Sequence, residues 1–598
     1  MNSEFVDQIL NKYLTNLQLY ISDNPSQMKY TFSYSNPNSH YINIQFELEL
    51  NGETSVDLQL PAWRPGRYEL GNFAKNIQKW EAFDENGKKL SAQKMTKDLW
   101  RVQTKSAKKL MVQYNYFAFE LNAGSTFLSE EQLYVNPVNC CLYDTNRAEE
   151  PCELILDVPE DYKVATSLKK VKKHEFKAKD FDELADSPFI ASASLKHFKY
   201  TIDNTNFHLW FQGSLKGDFD KLINDFTAFS KEQGKLFKGF PFKNYHFLFH
   251  ILPVKAYHGV EHADSTVIAL GPTYEVMDPK KLYDELLGVS SHELFHAWNV
   301  KRIRPAEMWP YDFTQENYSR LGYLAEGATT WYGDLMLYRS GVFTDESFLK
   351  TFSQLMNKHF NNPGVLNLSV ADSSFDTWLD GYGMGVPNRK SSIYTEGALI
   401  TFLLDIEIRK STTDKHSFDE VLRTFYEDFY LKGKGITETD YQNVVEQIAG
   451  KKLGTFFKKY VNGVEDYFPE LKKALDYLGM EVQIDLRENY HESYLGFVCD
   501  ENDKVLMIYP NSAADDAGLS VEDQIRTING MEAKGKISEW TKYFGDEQIE
   551  LGLISKYGED CAVQMKATDE IFYANYKVRR KEKPSKEQEE RFKKWMKT

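Results

Sequence analysis

Two histidines and a glutamate stand at the spacing of a metal-dependent hydrolase, within the pentapeptide His292-Glu293-Leu294-Phe295-His296. On a helix, residues four apart share one face, so His292 and His296 can offer two imidazole nitrogens to one metal ion. Glu293 lies beside them, where its carboxylate can take a proton from a water at that ion. The spacing therefore indicates a zinc hydrolase that holds one Zn²⁺ per chain.

The element that must position these residues is a helix. Asp278 followed by Pro279 predicts its start, because Asp accepts backbone N–H bonds at an N-cap and proline already has a helical φ. The segment is apolar enough to be buried, through Leu286, Leu287, Val289, Leu294, Phe295 and Trp298. Two buried histidines without a partner would be costly, and a metal ion supplies that partner.

A catalytic zinc site needs a third protein ligand and one open position. Two downstream glutamates compete for this role. Glu316 lies in the polar segment TQENYSR, at a spacing near that of thermolysin-like enzymes, whereas Glu326 lies in a buried-looking helix predicted to end near Gly341. An acid among apolar neighbours requires a partner, while Glu316 can be solvated. We favour Glu326 and keep Glu316 as the alternative.

A family resemblance rests on these same segments. HELFHAWNVKRIRP followed by ENYSRLGYLAEGATTWYGDLML resembles the glycyl aminopeptidases, gluzincin metallopeptidases that have a thermolysin-like catalytic domain and a distant kinship to aminopeptidase N. The resemblance implies that Glu326, in the Glu326-Gly327 pair that opens a helix, is the third ligand. It also implies hydrolysis of N-terminal peptide bonds, with a preference for glycine and alanine.

Substrate recognition is predicted upstream, at Gly259-Val260-Glu261-His262, which resembles the family's G-G-L-E-H. In aminopeptidase N the matching glutamate binds the free amine of the substrate, and a carboxylate at a fixed distance from the metal would select for that charge. Glu261 and Gly259 are therefore predicted to bind substrate; a surface glutamate in a polar loop is the alternative. His258 and His262 are not expected to be ligands, because two histidines and a glutamate already complete the site.

A tyrosine is the predicted oxyanion donor. Ser391 to Lys410 is predicted to be a long helix with one apolar face. Tyr394, near its start, resembles the tyrosine of the Y-x-K-G element of aminopeptidase N, which implies a phenol that donates to the oxyanion. Glu396 stands where many relatives have lysine, so a tyrosine that only packs on the first helical turn is the alternative.

Composition limits the class of protein and its partners. The chain has 598 residues, 27% of them charged and 42% hydrophobic, with a net charge of −16, which indicates a globular protein of several domains and argues against nucleic acid or an anionic membrane as a partner. Its five cysteines form no disulfide framework or metal motif. Neither a signal peptide nor a membrane helix is evident. Cytoplasmic location is the expectation, or a periplasmic or secreted one if a leader was removed.

The predicted fold is multidomain α+β. It consists of an N-terminal helical segment (1–29), an N-terminal antiparallel β-domain (30–200), a thermolysin-like α/β plus helical catalytic domain (201–482), a C-terminal β-barrel-like domain (483–576) and a charged tail (577–598) with no assigned role. Alternating segments such as YINIQFELEL and KKLMVQYNYFAFEL predict the N-terminal strands, and the basic run Lys169 to Lys173 is expected to be solvated.

The C-terminal domain resembles a PDZ domain. Tyr494-Leu495-Gly496-Phe497 is similar to its carboxylate-binding loop, and an Ala-Gly-Leu helix end and an Asn-Gly turn follow. The resemblance implies that this domain can bind a C-terminal peptide by strand addition.

Three functions remain distinguishable from the sequence. An aminopeptidase acts on peptides with a free N-terminus. A zinc endopeptidase that captures substrates through the PDZ domain would cut N-blocked peptides equally well. A non-enzymatic PDZ scaffold would hold no stoichiometric zinc, and the complete set of predicted ligands argues against it.

Overall fold

A computed structural model describes residues 28–381 and 385–597, so most of the predicted N-terminal helical segment lies outside the described residues. The chain divides into two compact units, Met1–Tyr318 and Ser319–Thr598. Among the described residues, no helix has the length and apolar character needed to cross a membrane. The predicted domain boundaries stay predictions.

The first unit is rich in strands. They are β1 (Met28–Ser33), β2 (Tyr41–Glu49), β3 (Ser55–Gln59), β4 (Ile77–Phe83), β5 (Ala92–Lys94), β6 (Leu99–Gln103), β7 (Lys109–Phe117), β8 (Phe127–Leu128), β9 (Leu133–Val135), β10 (Tyr143–Asp144), β11 (Cys152–Leu156), β12 (Lys163–Thr166), β13 (Lys169–Lys172), β14 (Glu175–Ala178), β15 (Phe189–Ser192), β16 (Lys196–Ile202), β17 (Thr205–Gln212), β18 (Asn244–Ile251), β19 (Ala256–Glu261) and β20 (Ser265–Gly271).

Strands β1 to β15 build three sheets, a seven-stranded one in the order β13-β14-β11-β1-β2-β7-β4 and two four-stranded ones, β10-β3-β6-β5 and β12-β15-β9-β8. Pairing is antiparallel except between β1 and β11. Strand β2 alternates buried and less buried side chains over most of its length, as the sequence predicts. All four residues of β13 are exposed, which confirms the solvated basic run.

A five-stranded sheet in the order β16-β17-β18-β20-β19 carries the upstream part of the site. β17, β18 and β20 run parallel, and β19 joins β20 antiparallel, so β19 is the edge strand of this sheet. The helices of the unit are α1 (Pro137–Cys140), α2 (Phe181–Ala185), α3 (Phe219–Leu236) and α4 (Tyr283–Phe295), with short 3-10 helices at Pro37–Ser39, Phe73–Asn76 and Ala306–Met308.

Helix α4 contains His292 in its last turn and is followed by His296 as its C-cap residue, but its predicted start is wrong. It begins at Tyr283, after Leu282. The Asp278 carboxylate instead accepts from the backbone N–H of Lys280 at 2.9 Å, in a turn that precedes the helix. The Asp278-Pro279 pair therefore marks a turn rather than the start of the helix. The helix begins only at the segment where Tyr283, Leu286 and Leu287 are buried.

The second unit is mainly helical. Its α-helices are α5 (Ala328–Arg339), α6 (Asp345–Phe360), α7 (Val370–Phe375), α8 (Thr377–Asp380), α9 (Ile393–Thr412), α10 (Phe418–Thr424), α11 (Glu438–Ala449), α12 (Gly454–Phe456), α13 (Phe468–Tyr477), α14 (Ala513–Asp516), α15 (Ile537–Phe544) and α16 (Lys586–Lys597). π-Helical turns span Tyr323–Gly327, Phe425–Phe429, Phe457–Val461 and His491–Leu495, and 3-10 helices span Pro363–Leu366 and Tyr430–Lys432.

Short strands characterise the C-terminal part of this unit. They are β21 (Met480–Leu486), β22 (Phe497–Cys499), β23 (Val505–Ile508), β24 (Gln524–Ile528), β25 (Met531–Glu532), β26 (Ile549–Ile554), β27 (Asp560–Met565) and β28 (Ala574–Arg580). They pair as β21-β28, β22-β23 and β25-β24-β26-β27. The Asn529-Gly530 turn joins β24 to β25, as predicted, but the strands form separate small sheets and the predicted PDZ barrel stays a prediction.

The charged tail is part of the fold. Trp595 of α16 is fully buried, its indole N–H donates to the Asp405 carboxylate at 3.1 Å, and its ring lies beside Trp331, Phe348 and Phe402. A buried tryptophan contributes a large apolar area, so the tail, to which the sequence assigned no role, stabilises the second unit.

The overall result is a multidomain α+β protein with a β-rich N-terminal region followed by a helical one.

Candidate metal centre

The two histidines face one another on α4, as their spacing predicts. Their Nε2 atoms lie 3.0 Å apart, and the rings are nearly perpendicular. A tetrahedral zinc with Zn–N bonds of about 2.0–2.1 Å requires two nitrogens about 3.3 Å apart. The observed separation is close to this value, so the pair fits a single zinc ion.

The protonation of the two rings suits metal binding. His296 Nδ1 lies 2.7 Å from the carbonyl of Asn299; it therefore carries the proton and donates, which leaves the lone pair on Nε2. Burial, and secondarily the neighbouring His296, hold the pKa of His292 well below its ordinary value. The His292 ring is therefore neutral at pH 7, as a metal ligand must be.

Helix α4 is held in place by hydrogen bonds to other elements of the first unit. The side chain of Gln233 donates to the Ser291 carbonyl at 2.8 Å, and the Tyr245 hydroxyl donates to the Glu293 carbonyl at 3.2 Å. Phe295 packs against Phe237 of the segment after α3. These contacts set the orientation of the face that carries the histidines.

Glu293 and the edge strand are in close contact. The Glu293 side chain is buried, and a Cβ atom added to Gly259 of β19 would overlap its carboxylate. Only glycine leaves room for the carboxylate at this position. Gly259, predicted as a substrate-binding residue, therefore also shapes the space that Glu293 occupies.

Glu261, at the end of β19, is brought to the same place. One ligand atom from each of Glu261, Glu293 and His296 lies within 4.8 Å of the others. Glu261 is 4% exposed, and its Oε1 has no hydrogen-bond partner in the described part of the chain. Two buried carboxylates this close repel one another unless a cation lies near them. The arrangement thus fits both a metal ion and a substrate ammonium.

A turn of the N-terminal β-domain covers Glu261 on one side, which the sequence did not predict. The turn is Arg64-Pro65-Gly66-Arg67. Gly66 has a φ of +78°, and a Cβ atom there would overlap the Glu261 carboxylate. The segment is anchored because the indole of Trp63, which is fully buried, donates to the Asp312 carbonyl at 2.7 Å.

His262 and His258 are not assembled as ligands. His262 Nδ1 lies 3.0 Å from Asp186 Oδ1, and Lys301 Nζ donates to the same oxygen at 2.8 Å. Burial alone would raise the pKa of Asp186, but Lys301 and His262 outweigh it and hold that pKa far below its usual range. Burial lowers the pKa of His258 to about 4, with further lowering by the arginines of the turn.

Glu326 lies in the second unit, within the π-helical turn Tyr323–Gly327 that precedes α5. It is 2% exposed, while Glu316 lies in an irregular segment and is partly exposed. Gly327 lies against Gly397 of α9, since a Cβ on either glycine would overlap the backbone of the other segment. π-Turns inside helices are frequent at functional sites. Glu326 is thus more deeply buried than Glu316, as our preference for Glu326 as the third ligand assumes.

Tyr394 lies on the first turn of α9 and is half-buried. Ser392 caps this helix, its hydroxyl accepting from the Thr395 N–H. Glu396 points into a buried cluster in which its carboxylate lies 2.8 Å from His359 Nδ1 and accepts from the Tyr467 hydroxyl. Glu396 is therefore hydrogen-bonded to residues of the fold, where many relatives have lysine. The role predicted for Tyr394 stays a prediction.

The loop predicted to bind a carboxylate is partly closed on itself. Tyr494 and Leu495 belong to the π-helical turn His491–Leu495, and the Gly496 N–H donates to the His491 carbonyl at 2.9 Å. Phe497 begins β22 and is fully buried. Because the Gly496 amide is already used, the C-terminal peptide site stays a prediction.

A buried helix with the HExxH pattern, beside an edge strand that ends in a glutamate, is an arrangement suited to a metallopeptidase. Comparison with known proteins agrees. Residues 29–193 match the Peptidase M61 N-terminal domain, and residues 285–400 match the M61 glycyl aminopeptidase family. The resemblance to the glycyl aminopeptidases is confirmed, and the chain is a metallopeptidase.

One of the solved structures compared has the same fold. An aminopeptidase N family protein from Idiomarina loihiensis is 24% identical, with a TM-score of 0.86 over 96% of this chain and 100% of that one. An M1 zinc metallopeptidase from Deinococcus radiodurans, in complex with a Tyr-Ser-Ala substrate, is 13% identical, with a TM-score of 0.47 over 74% of this chain and 94% of that one. No curated protein matches the sequence.

Proposed function

We propose that the protein is a zinc-dependent aminopeptidase. The observation that supports this most directly is the buried Glu261 carboxylate, which has an unpartnered oxygen and lies within 4.8 Å of ligand atoms of Glu293 and His296. A carboxylate there binds a free α-ammonium through a charge-assisted hydrogen bond. An N-blocked peptide cannot provide that ammonium, so Glu261 selects the N-terminal peptide bond.

The residues proposed to hold the zinc are His292, His296 and Glu326. Two imidazoles and one carboxylate are a donor set of the kind that a catalytic zinc ion takes. Bound zinc lowers the pKa of a water and polarises the scissile carbonyl. Glu326 is supported by its burial and by its Glu-Gly pair, and Glu316 is the alternative.

Glu293 is proposed as the general base. Its carboxylate, placed against Gly259, takes the proton of the attacking water and passes it to the leaving amine. The absence of a side chain at Gly259 allows this carboxylate to lie at the edge strand, beside the peptide bond of a substrate whose amine is on Glu261. Tyr394 is proposed to donate its phenolic hydrogen to the oxyanion.

The proposed substrates are peptides with a free N-terminus and a small first residue, glycine or alanine, which is the preference of the family. The support is the match of residues 285–400 to the M61 glycyl aminopeptidases.

The decisive experiment is Glu293→Gln combined with metal analysis and paired peptides. We expect the variant to retain one zinc per chain and to lose about 10²–10⁴-fold in kcat, the usual contribution of a general base. The wild type should release glycine and alanine from free peptides and leave the N-acetylated forms intact. Equal cleavage of the acetylated forms would establish an endopeptidase instead, and zinc-free, inactive wild-type protein would establish a scaffold.

A further inference from the structure

A polar pocket lies on the N-terminal β-domain. Its volume is about 440 Å³ and its lining includes Arg64, Arg67, Lys75, Glu120 and Asn139. This volume falls within the range of small-molecule sites. Neither Glu261, Glu293 nor the two histidines line it, so it is separate from the metal centre. The Arg64 to Arg67 turn lines the pocket, while Gly66 of the same turn lies against Glu261.

Asn139, one of the lining residues, has a buried acceptor without a partner among the described residues. Asn139 is 2% exposed, and its amide nitrogen donates to the Gly124 carbonyl at 2.9 Å. Its Oδ1 has no hydrogen-bond partner among residues 28–381 and 385–597. An unsatisfied buried acceptor is costly, and a donor from a bound molecule would remove that cost.

The walls carry both signs of charge. Arg64 is buried, with its guanidinium against Gly124, and Arg67 pairs with Glu69. Lys75, in the last turn of the 3-10 helix Phe73–Asn76, is exposed. Glu120 adds a carboxylate to the lining. A purely anionic or purely cationic ligand would meet like charge at one wall, whereas a zwitterion would not.

Aromatic side chains complete the site. Phe117 and Phe119 stack with ring centroids 5.7 Å apart, line the pocket and are 37% and 59% exposed. Exposed aromatic rings next to a polar cavity provide a surface for an apolar side chain. The combination of cationic groups, an amide acceptor and aromatic rings matches the three parts of an α-amino acid.

We propose that this pocket binds a free α-amino acid with an aromatic or large apolar side chain. Its carboxylate pairs with the cations of the lining, Lys75 among them, its ammonium donates to Asn139 Oδ1, and its side chain lies on the phenylalanines. This binding does not depend on the proposed peptidase activity. It goes beyond that activity, because the site takes a free amino acid rather than a peptide bond.

The test is equilibrium binding of L-phenylalanine to the full-length zinc-loaded protein, measured by calorimetry or by equilibrium dialysis. We expect Lys75→Glu to weaken binding at least about 10-fold, as expected for loss of a charge-assisted pair. The matched control is Lys79→Glu, an exposed lysine that makes the same charge change outside the pocket and should leave binding within about twofold, as surface charges usually do.

Two ligands and one further variant separate this pocket from the metal centre. 3-Phenylpropionate, which has no ammonium, and 2-phenylethylamine, which has no carboxylate, should each bind at least about 10-fold more weakly than L-phenylalanine. Glu261→Ala, which removes the proposed amine-binding carboxylate of the metal centre, should still bind one L-phenylalanine per chain. Loss of binding in Glu261→Ala with retention in Lys75→Glu would assign the amino acid to the metal centre, and absence of binding by the wild type would also overturn the proposal.

Discussion

Glu261 and Glu396 are equally buried glutamates, each 4% exposed, but their carboxylates differ in hydrogen bonding. The Glu396 carboxylate is hydrogen-bonded to His359 and to Tyr467, so it has partners within the fold. Glu261 has an oxygen without a partner in the described chain and lies near a second carboxylate. A buried charge left uncompensated is costly. The difference supports the proposal that Glu261 binds a ligand, whereas Glu396 contributes to the fold.

Asp186 provides the strongest test of a partnered carboxylate, and Asp186→Asn should have the largest effect on stability. The Lys301 side chain is 2% exposed and pairs with Asp186, so the substitution leaves a buried ammonium without its counter-charge. We expect a loss of roughly 3–5 kcal/mol in unfolding free energy, measured by urea denaturation. Lys221→Gln is the control: it breaks an exposed pair on α3 and should cost less than about 1 kcal/mol.

The same pair predicts a pH dependence with a definite sign. The pKa of folded Asp186 is far below its ordinary value, so the stability it contributes is complete above the unfolded pKa of about 3.9 and declines as pH falls below it. The difference in unfolding free energy between wild type and Asp186→Asn should therefore be constant from pH 7 to 5 and shrink toward pH 3. A constant difference down to pH 3 would contradict the assignment.

Glu261→Gln tests the unpartnered member of the comparison. The substitution keeps the shape but removes the charge, so kcat/KM for peptides with a free amine should fall about 10- to 100-fold, equivalent to the loss of one charge-assisted hydrogen bond. The thermal midpoint should not fall, because no internal partner is lost. A lower thermal midpoint with unchanged kcat/KM would reverse the roles given to the two glutamates.

Glu396→Gln should show the opposite pattern. The amide oxygen is a weaker, neutral acceptor, and the NH2 group takes the place of the oxygen that lies 2.9 Å from His359 Nδ1. We therefore expect roughly 1–2 kcal/mol less stability, seen as a lower thermal midpoint. Per folded molecule, kcat/KM should stay within about twofold, since Glu396 is not part of the proposed machinery. A large loss of kcat at full stability would instead connect Glu396 to Tyr394 on the same helix.

Local signals explain what the sequence could reveal. The spacing of His292 and His296 is a property of one helix, and the alternation in β2 is a property of one strand, so both were readable. The approach of Gly66 to Glu261 and the Asp186–Lys301 pair join distant segments and leave no local pattern. The Asp278-Pro279 signal was strong but marked only a turn, because burial rather than capping decides where α4 begins.

Glu316→Gln should have the smallest effect, and it separates the two candidate third ligands. Glu316 is partly exposed in an irregular segment, so its substitution should leave zinc content unchanged and alter stability by less than about 0.5 kcal/mol. Glu326→Gln, the matched change at a 2% exposed position, should lower zinc affinity by at least about 10-fold by removing a ligand, measured by competition with a chelator. If Glu316→Gln lost zinc and Glu326→Gln kept it, Glu326 would join Glu396 as a glutamate that serves the fold. The link between burial and ligand binding drawn from Glu261 would then hold only for the edge strand.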